Sequence, residues 1–240
     1  MNASVRRRMN LLGVMLAVIG IGFLGGAGVA WLRVQDGYGS LQAFSEAQNV
    51  TLNYIDDGQL IDRGSTEQAD AIMDMLTVDW GYPVVSGDMD PNDPLVNTGS
   101  EYMFQMATIA YHTLHGTQTV ELDEAVEYQD ETFAAGTYEV EVDGHYWTGF
   151  NRMHPLEGPA RDQAWSGTAH ALIAELGVGT VTHSALQLGL GIAALLGGLG
   201  FIFLAMAAAV AWIARAKDDD RVPDTIPAEI LQEHRPTAAV

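Results

Sequence analysis

His112 and His115 stand three residues apart in a run that reads as one helix, and that spacing puts both imidazoles on the same helical face. Joined by a carboxylate or by a third imidazole from His145, His154 or His170, the pair has the donor set of a divalent-metal site. The chain has no cysteine, so disulfides, zinc–thiolate sites, iron–sulfur clusters and thiol catalysis are excluded. A His/carboxylate set suits copper or zinc, and His112, His115, His154 and His170 are the expected ligands. A plainer arrangement also fits the first two: His112 packed in a core, and His115 closing the helix C-terminus, where the dipole favours imidazolium. The sequence lacks the glutamate of a His-Glu-x-x-His metalloprotease.

Other chemistry finds little footing. The loop Asp88-Met89-Asp90-Pro91-Asn92-Asp93 offers oxygen ligands at alternate positions, yet it lacks the central glycine and terminal glutamate of a calcium loop, and Pro91 interrupts its register. Neither a Gly-x-Ser-x-Gly elbow nor a Ser-x-x-Lys motif is present. The expectation is a non-enzymatic protein.

The elements that must carry these residues follow from where charge is missing. Met9 to Leu32 is free of charge, lies between Arg6-Arg7-Arg8 and Arg33, and reaches roughly 36 Å as a helix, enough for a bilayer core. A second uncharged block, Ala185 to Ala214, ends at Arg215 and Lys217. Basic residues flank the spans on one side, so the positive-inside rule puts both termini in the cytoplasm of a plasma-membrane protein. A cleaved signal peptide ending at Gly28-Val29-Ala30 is the rival reading of the first block, against which stand its length and the Trp31/Arg33 anchor pattern.

The net charge of −20 belongs to the region between the blocks. Residues 34–184 hold 25 Asp plus Glu against Arg63, Arg152 and Arg161, with no lysine. Such a chain is no nucleic-acid binder, because phosphate affinity comes from Lys and Arg. Lysine-free acidity also fits a high-salt habitat.

Within that region the patterning predicts an α+β domain. Ser40 to Gln48 continues the first helix outward through Leu41, Phe44 and Ala47. Alternating Val50, Leu52 and Tyr54, then Asp57-Gly58, then Leu60-Ile61 predict a hairpin. Ser65 and Gln68 have capping-box spacing before Ala69, Ile72, Met73 and Leu76, and Thr98 with Glu101 opens a buried helix through His115. Residues 119–122, 127–128 and 138–142 read as strands of a half-buried antiparallel sheet. Pro159 is placed to open one helix through Trp165 to Leu176 that leads to the second span.

The spans themselves carry small residues at packing intervals: Gly22-x-x-x-Gly26 in the first, and Gly189, Ala193 and Gly197 in the second. Helix–helix packing is their implied role. Neither span holds a charge, which disfavours ion conduction.

The stretch Glu101-Tyr102-Met103-Phe104-Gln105-Met106-Ala107-Thr108, running on to Tyr111-His112-Thr113-Leu114-His115-Gly116, resembles uncharacterised two-span membrane proteins of actinobacteria, some labelled aromatic ring-opening dioxygenase. That resemblance implies topology only, since such an enzyme needs an iron site in a soluble cytoplasmic fold.

The resulting expectation is a membrane protein with two transmembrane helices flanking an acidic extracytoplasmic α+β domain with a small antiparallel sheet. Its parts are a cytoplasmic N-terminus (1–8), a first span (9–32), the domain (33–184), a second span (185–214) and a cytoplasmic, disordered tail (215–240). The function expected is that of an accessory or scaffold protein, packing through its spans with itself as a homo-oligomer or with subunits of a larger membrane complex. The alternative is an extracytoplasmic copper- or zinc-binding module or metalloenzyme.

Overall fold

A computed structural model describes residues 3–215; the tail expected beyond Arg215 lies outside the described residues. The chain begins with α1 (Ala3–Gln48) and closes the described part with α5 (Gly167–Arg215). Both helices are long and apolar enough to cross a membrane. Contacts divide the chain into two compact units: α1 up to Ala30 with α5 from Ile192, and Trp31–Gly191.

In the first unit, small residues recur every seventh position: Gly13, Gly20 and Ala27 on α1, and Ala193, Gly200, Ala207 and Ala214 on α5. All are buried or half-buried. A seven-residue step averages 3.5 residues per turn, which keeps one seam facing an antiparallel neighbour when the pair coils gently left-handed. A Cβ at Gly20 would lie 2.9 Å from the Gly200 carbonyl oxygen, and Phe23 stacks on Phe203 with ring centres 5.6 Å apart. Most of the large side chains point outward, Leu11, Val14, Val18, Ile21, Leu195 and Phe201 all being exposed, whereas Leu16 is buried and Phe23, Phe203 and Leu204 are half-buried.

The second unit is built around α3 (Gly99–Leu114). Its N-terminus is closed by a complete capping box, with Thr98 accepting from the Glu101 N–H and Glu101 accepting from the Thr98 N–H at 2.9 Å. Ahead of it, β1 (Asn53–Tyr54) and β2 (Leu60–Ile61) form the expected hairpin, with Gly58 at φ 83° in the turn. A second tight turn follows, in which Arg63 (φ 48°) and Gly64 (φ 84°) both adopt the left-handed region and Asp62 and Ser65 exchange backbone hydrogen bonds. Ser65 then caps α2 (Thr66–Asp74) by accepting from the Gln68 N–H. Ile72 and Leu76 are fully buried where this segment packs on α3. A π-turn over Met75–Asp79 ends this helix at Trp80.

After α3 come four strands in two ribbons. Strands β3 (Thr117–Leu122) and β6 (Gly136–Glu141) pair antiparallel with Val120 opposite Tyr138, and β4 (Val126–Tyr128) pairs with β5 (Glu131–Phe133). Val120 and, just past β6, Val142 are buried while Glu139 and Glu141 face out. The single half-buried sheet expected here is therefore two separate two-stranded ribbons, apart from the β1–β2 hairpin, which was expected by itself. The β4–β5 turn escaped the sequence because Gln129 (φ 49°) and Asp130 (φ 67°) occupy positions where Asn-Gly is the usual signal.

One further expectation is corrected. The helix foreseen from Pro159 to Leu176 is two: α4 (Glu157–Ala164) stops at Trp165, and α5 starts anew. Ser166 explains the break, since its hydroxyl accepts from the Ala169 N–H and caps α5.

Candidate functional site

His112 lies on α3 with its Nε2 2.7 Å from Asp62 Oδ2, and both side chains are largely buried, at 18% and 13% exposure. The tight turn after β2 delivers Asp62 to this point, so the pair ties the hairpin to the central helix. Around it opens a polar cleft of about 450 Å³, lined also by Arg63, Gln105, Gln118 and Gln163. Two hydroxyls on its wall are already engaged: Thr108 donates to the Phe104 carbonyl and Thr113 to that of Ile109. The cleft thus offers a carboxylate-oriented imidazole with amides near it.

The other histidines do not join it. His115 is the C-cap of α3, donates through Nδ1 to its own Tyr111 carbonyl at 3.0 Å, and stacks on the Tyr111 ring. His154 accepts at Nδ1 from the N–H groups of Leu156 and Glu157, capping α4, and sits edge-on to Tyr128 and Phe133. His170 packs edge-on against Trp147, whose face is covered by the buried guanidinium of Arg161 at 3.4 Å. Among the described residues no group of three or more His, Asp or Glu is arranged to hold a metal ion. The expected copper or zinc set of His112, His115, His154 and His170 is therefore not assembled; local capping and aromatic packing have claimed three of its four members.

The acidic loop is likewise absorbed by capping. Asp88 accepts from the Ser100 hydroxyl at 2.7 Å, and Asp90 accepts from both the backbone and the side chain of Asn92, which holds its carboxyl below the usual range. Beside them the Gly99 N–H donates to Nδ1 of buried His183 at 3.0 Å, so α5 contributes a cap to α3. Burial, reinforced by Asp88, raises the pKa of Tyr38 and of Tyr82 next to this cluster. His183 and Asp62 are the contacts least visible in the sequence, lying 84 residues from Gly99 and 50 from His112.

A second cavity, about 300 Å³ and mainly apolar, lies between the outer turns of α1, α3 and α5. Its floor is Val96 and Tyr102, with Tyr102 Oη bonded to Ser45 Oγ at 2.7 Å. Gly179 packs directly on the Tyr102 ring, fixing it in place. Glu175 is the one carboxylate among its lining residues.

Compared with known proteins, the chain matches no family model, no curated protein and no solved structure. The site must be read from its own geometry.

That geometry sorts the span residues as well. Gly26 meets Leu196, Gly197 meets Ala27, Ala193 is buried, and within the second unit Gly189 packs on Val34. Gly22 is the exception: a Cβ there would meet nothing within 4 Å. The four-residue spacing of Gly22 and Gly26 suggested one packing face, but the seam follows a seven-residue step, which selects Gly13 and Gly20 instead. Gly20 and Gly200 were missed for the same reason.

Proposed function

We propose that this chain is a two-span plasma-membrane protein with both termini cytoplasmic and its acidic residues 33–184 folded outside as an α+β domain, acting as a non-enzymatic accessory or scaffold subunit. One observation carries the reading: the α1–α5 pair closes along glycine and alanine positions, with Leu16 and the Phe23–Phe203 stack beside them, and turns most of its large apolar side chains outward. A water-soluble helical pair does the reverse, because in water the large apolar residues drive burial. In lipid the outer face has no reason to be polar, and close packing of small residues holds the helices together.

The same hairpin leaves Gly22 and Gly25 open, three residues apart on α1 and meeting no other side chain. A second copy of this chain, or a helix of a larger complex, has a small-residue surface there on which to pack.

The experiment is size determination in mild detergent and in lipid discs. A dimer or larger assembly is expected, dispersed by the joint substitution Gly22→Leu and Gly25→Leu with the hairpin's helicity unchanged. Monomer alone, with no co-purifying subunit, would remove the scaffold reading. Labelling single cysteines at Gly64 and at Ser4 from either side of intact cells tests the orientation separately.

A further inference from the structure

At the end of the hairpin that carries both terminal arginines, α1 and α5 leave between them a groove of about 820 Å³. Gly13, Ala17, Ala207, Ala208 and Ala211, whose side chains are too short to fill it, make up much of its wall, with Asn10, Val14 and Leu204 beside them. Arg6 lines its mouth from α1 and Arg215 from α5. We propose that this groove is a binding site for an anionic phospholipid, with one acyl chain lying along the alanines and the headgroup phosphate held by Arg6 and Arg215.

Three features support the charge of the occupant. Arg6 and Arg215 line one groove from different helices, and fork-shaped donors of this kind suit phosphate oxygens. The first turns of α1 hold no acid and carry Arg6, Arg7 and Arg8 against the positive end of the helix dipole, a clash that a bound anion relieves. Basic pockets between spans at the cytoplasmic face recruit anionic headgroups, which that leaflet supplies at high local concentration. An apolar protein helix seated in the groove would cover the alanines but bring the arginines no anion. A free phosphate would satisfy the arginines and leave the apolar walls empty.

This proposal rests on the membrane reading above, and one control separates the two. Washing isolated membranes with alkaline carbonate must leave the protein in the pellet; its release would sink the membrane reading first. With that in hand, the full-length protein, delipidated in detergent, is titrated with phosphatidylglycerol and with phosphatidylcholine of the same chains, and bound lipid is counted by native mass spectrometry.

Phosphatidylglycerol should bind more tightly, by roughly fivefold for each arginine engaged, the ratio that about 1 kcal/mol produces. The preference should vanish in Arg6→Gln/Arg215→Gln, and Ala208→Trp, on the exposed wall, should reduce the binding of both lipids. Should Ala208→Trp fail to fold, Ala17→Trp on the facing wall replaces it. Equal affinity for the two lipids, a preference that survives loss of both arginines, or unchanged binding with the groove filled would each overturn the proposal. Glycerol phosphate competing as well as the whole lipid would overturn it in favour of a plain phosphate site.

Discussion

On facing turns of α1 and α5, Gly20 and Gly200 lie so close that a Cβ on either would sit 2.9 Å from the other's carbonyl oxygen. Backbone oxygens cannot swing aside as side chains do, so any added atom must push the helices apart. Gly20→Ala is expected to destabilise the protein by the ~1–3 kcal/mol of an overpacked contact. Gly28→Ala, where a Cβ would meet nothing within 4 Å, should be neutral or stabilising by up to about 1 kcal/mol through helix propensity. Thermal melts followed by circular dichroism in detergent decide this, and equal effects at the two positions would contradict the seam.

Because the chain has no native cysteine, the seam can also be read by cross-linking. A Cβ on Gly197 would lie 3.8 Å from that of Ala27, inside the range a disulfide requires. Ala27→Cys/Gly197→Cys should oxidise readily to an intramolecular disulfide, visible as a gel shift. Gly22→Cys/Gly197→Cys should not.

Glu101 couples the central capping box to pH. Burial raises its carboxyl pKa above the ordinary 4.5, Asp93 adds to the rise, and hydrogen bonds from Asn97 and Thr98 oppose it. A pKa higher in the folded than in the unfolded chain gives stability that is complete below the unfolded value and is lost as pH rises through the folded one. Acidifying from neutrality toward pH 4.5 should therefore gain stability from this group. Glu101→Gln keeps an acceptor for the cap and cannot ionise, so comparing denaturant midpoints of the two proteins across that range should show the gain in the parent only.

Tyr54 tests the cost of an unsatisfied hydroxyl. Its Oη is buried with no hydrogen-bond partner among the described residues. Burial, with Glu101 and Asp90 nearby, pushes its pKa up to about 12. Tyr54→Phe removes the orphan and should be neutral or stabilising by about 1 kcal/mol, whereas truncating a well-bonded tyrosine would cost that much. In an ultraviolet titration, the tyrosinate absorbance missing from the variant should be the part that appears near pH 12. Loss of stability on this substitution would show that Oη does have a partner.

Much of the local structure was readable because its causes are local. Thr98 and Glu101 announce their helix through a bond three residues long, and Asp57-Gly58 supplies the backbone freedom that its hairpin needs. The break at Ser166 was equally local in cause. There the hydroxyl's competition for the Ala169 N–H prevailed over an apolar pattern that ran on unbroken. The candidate site was much less legible. Nothing near His112 in the chain marks Asp62 as its partner, and the roles of His154 and His170 depend on aromatic neighbours brought in by separate strands and loops.

By itself the sequence determined the two long apolar helices, the segregation of −22 charges between them, and the caps and turns of the intervening fold, all set by hydropathy, charge and bonds over a few residues. Tertiary structure alone decided which glycines touch and which histidines meet. Small residues at three-, four- and seven-residue intervals coexist on α1, and only the coiling of its partner selects Gly20 over Gly22. An imidazole, likewise, bonds to whatever packing brings within 3 Å: for His183 that is the Gly99 N–H, 84 residues away, and for His112 it is Asp62.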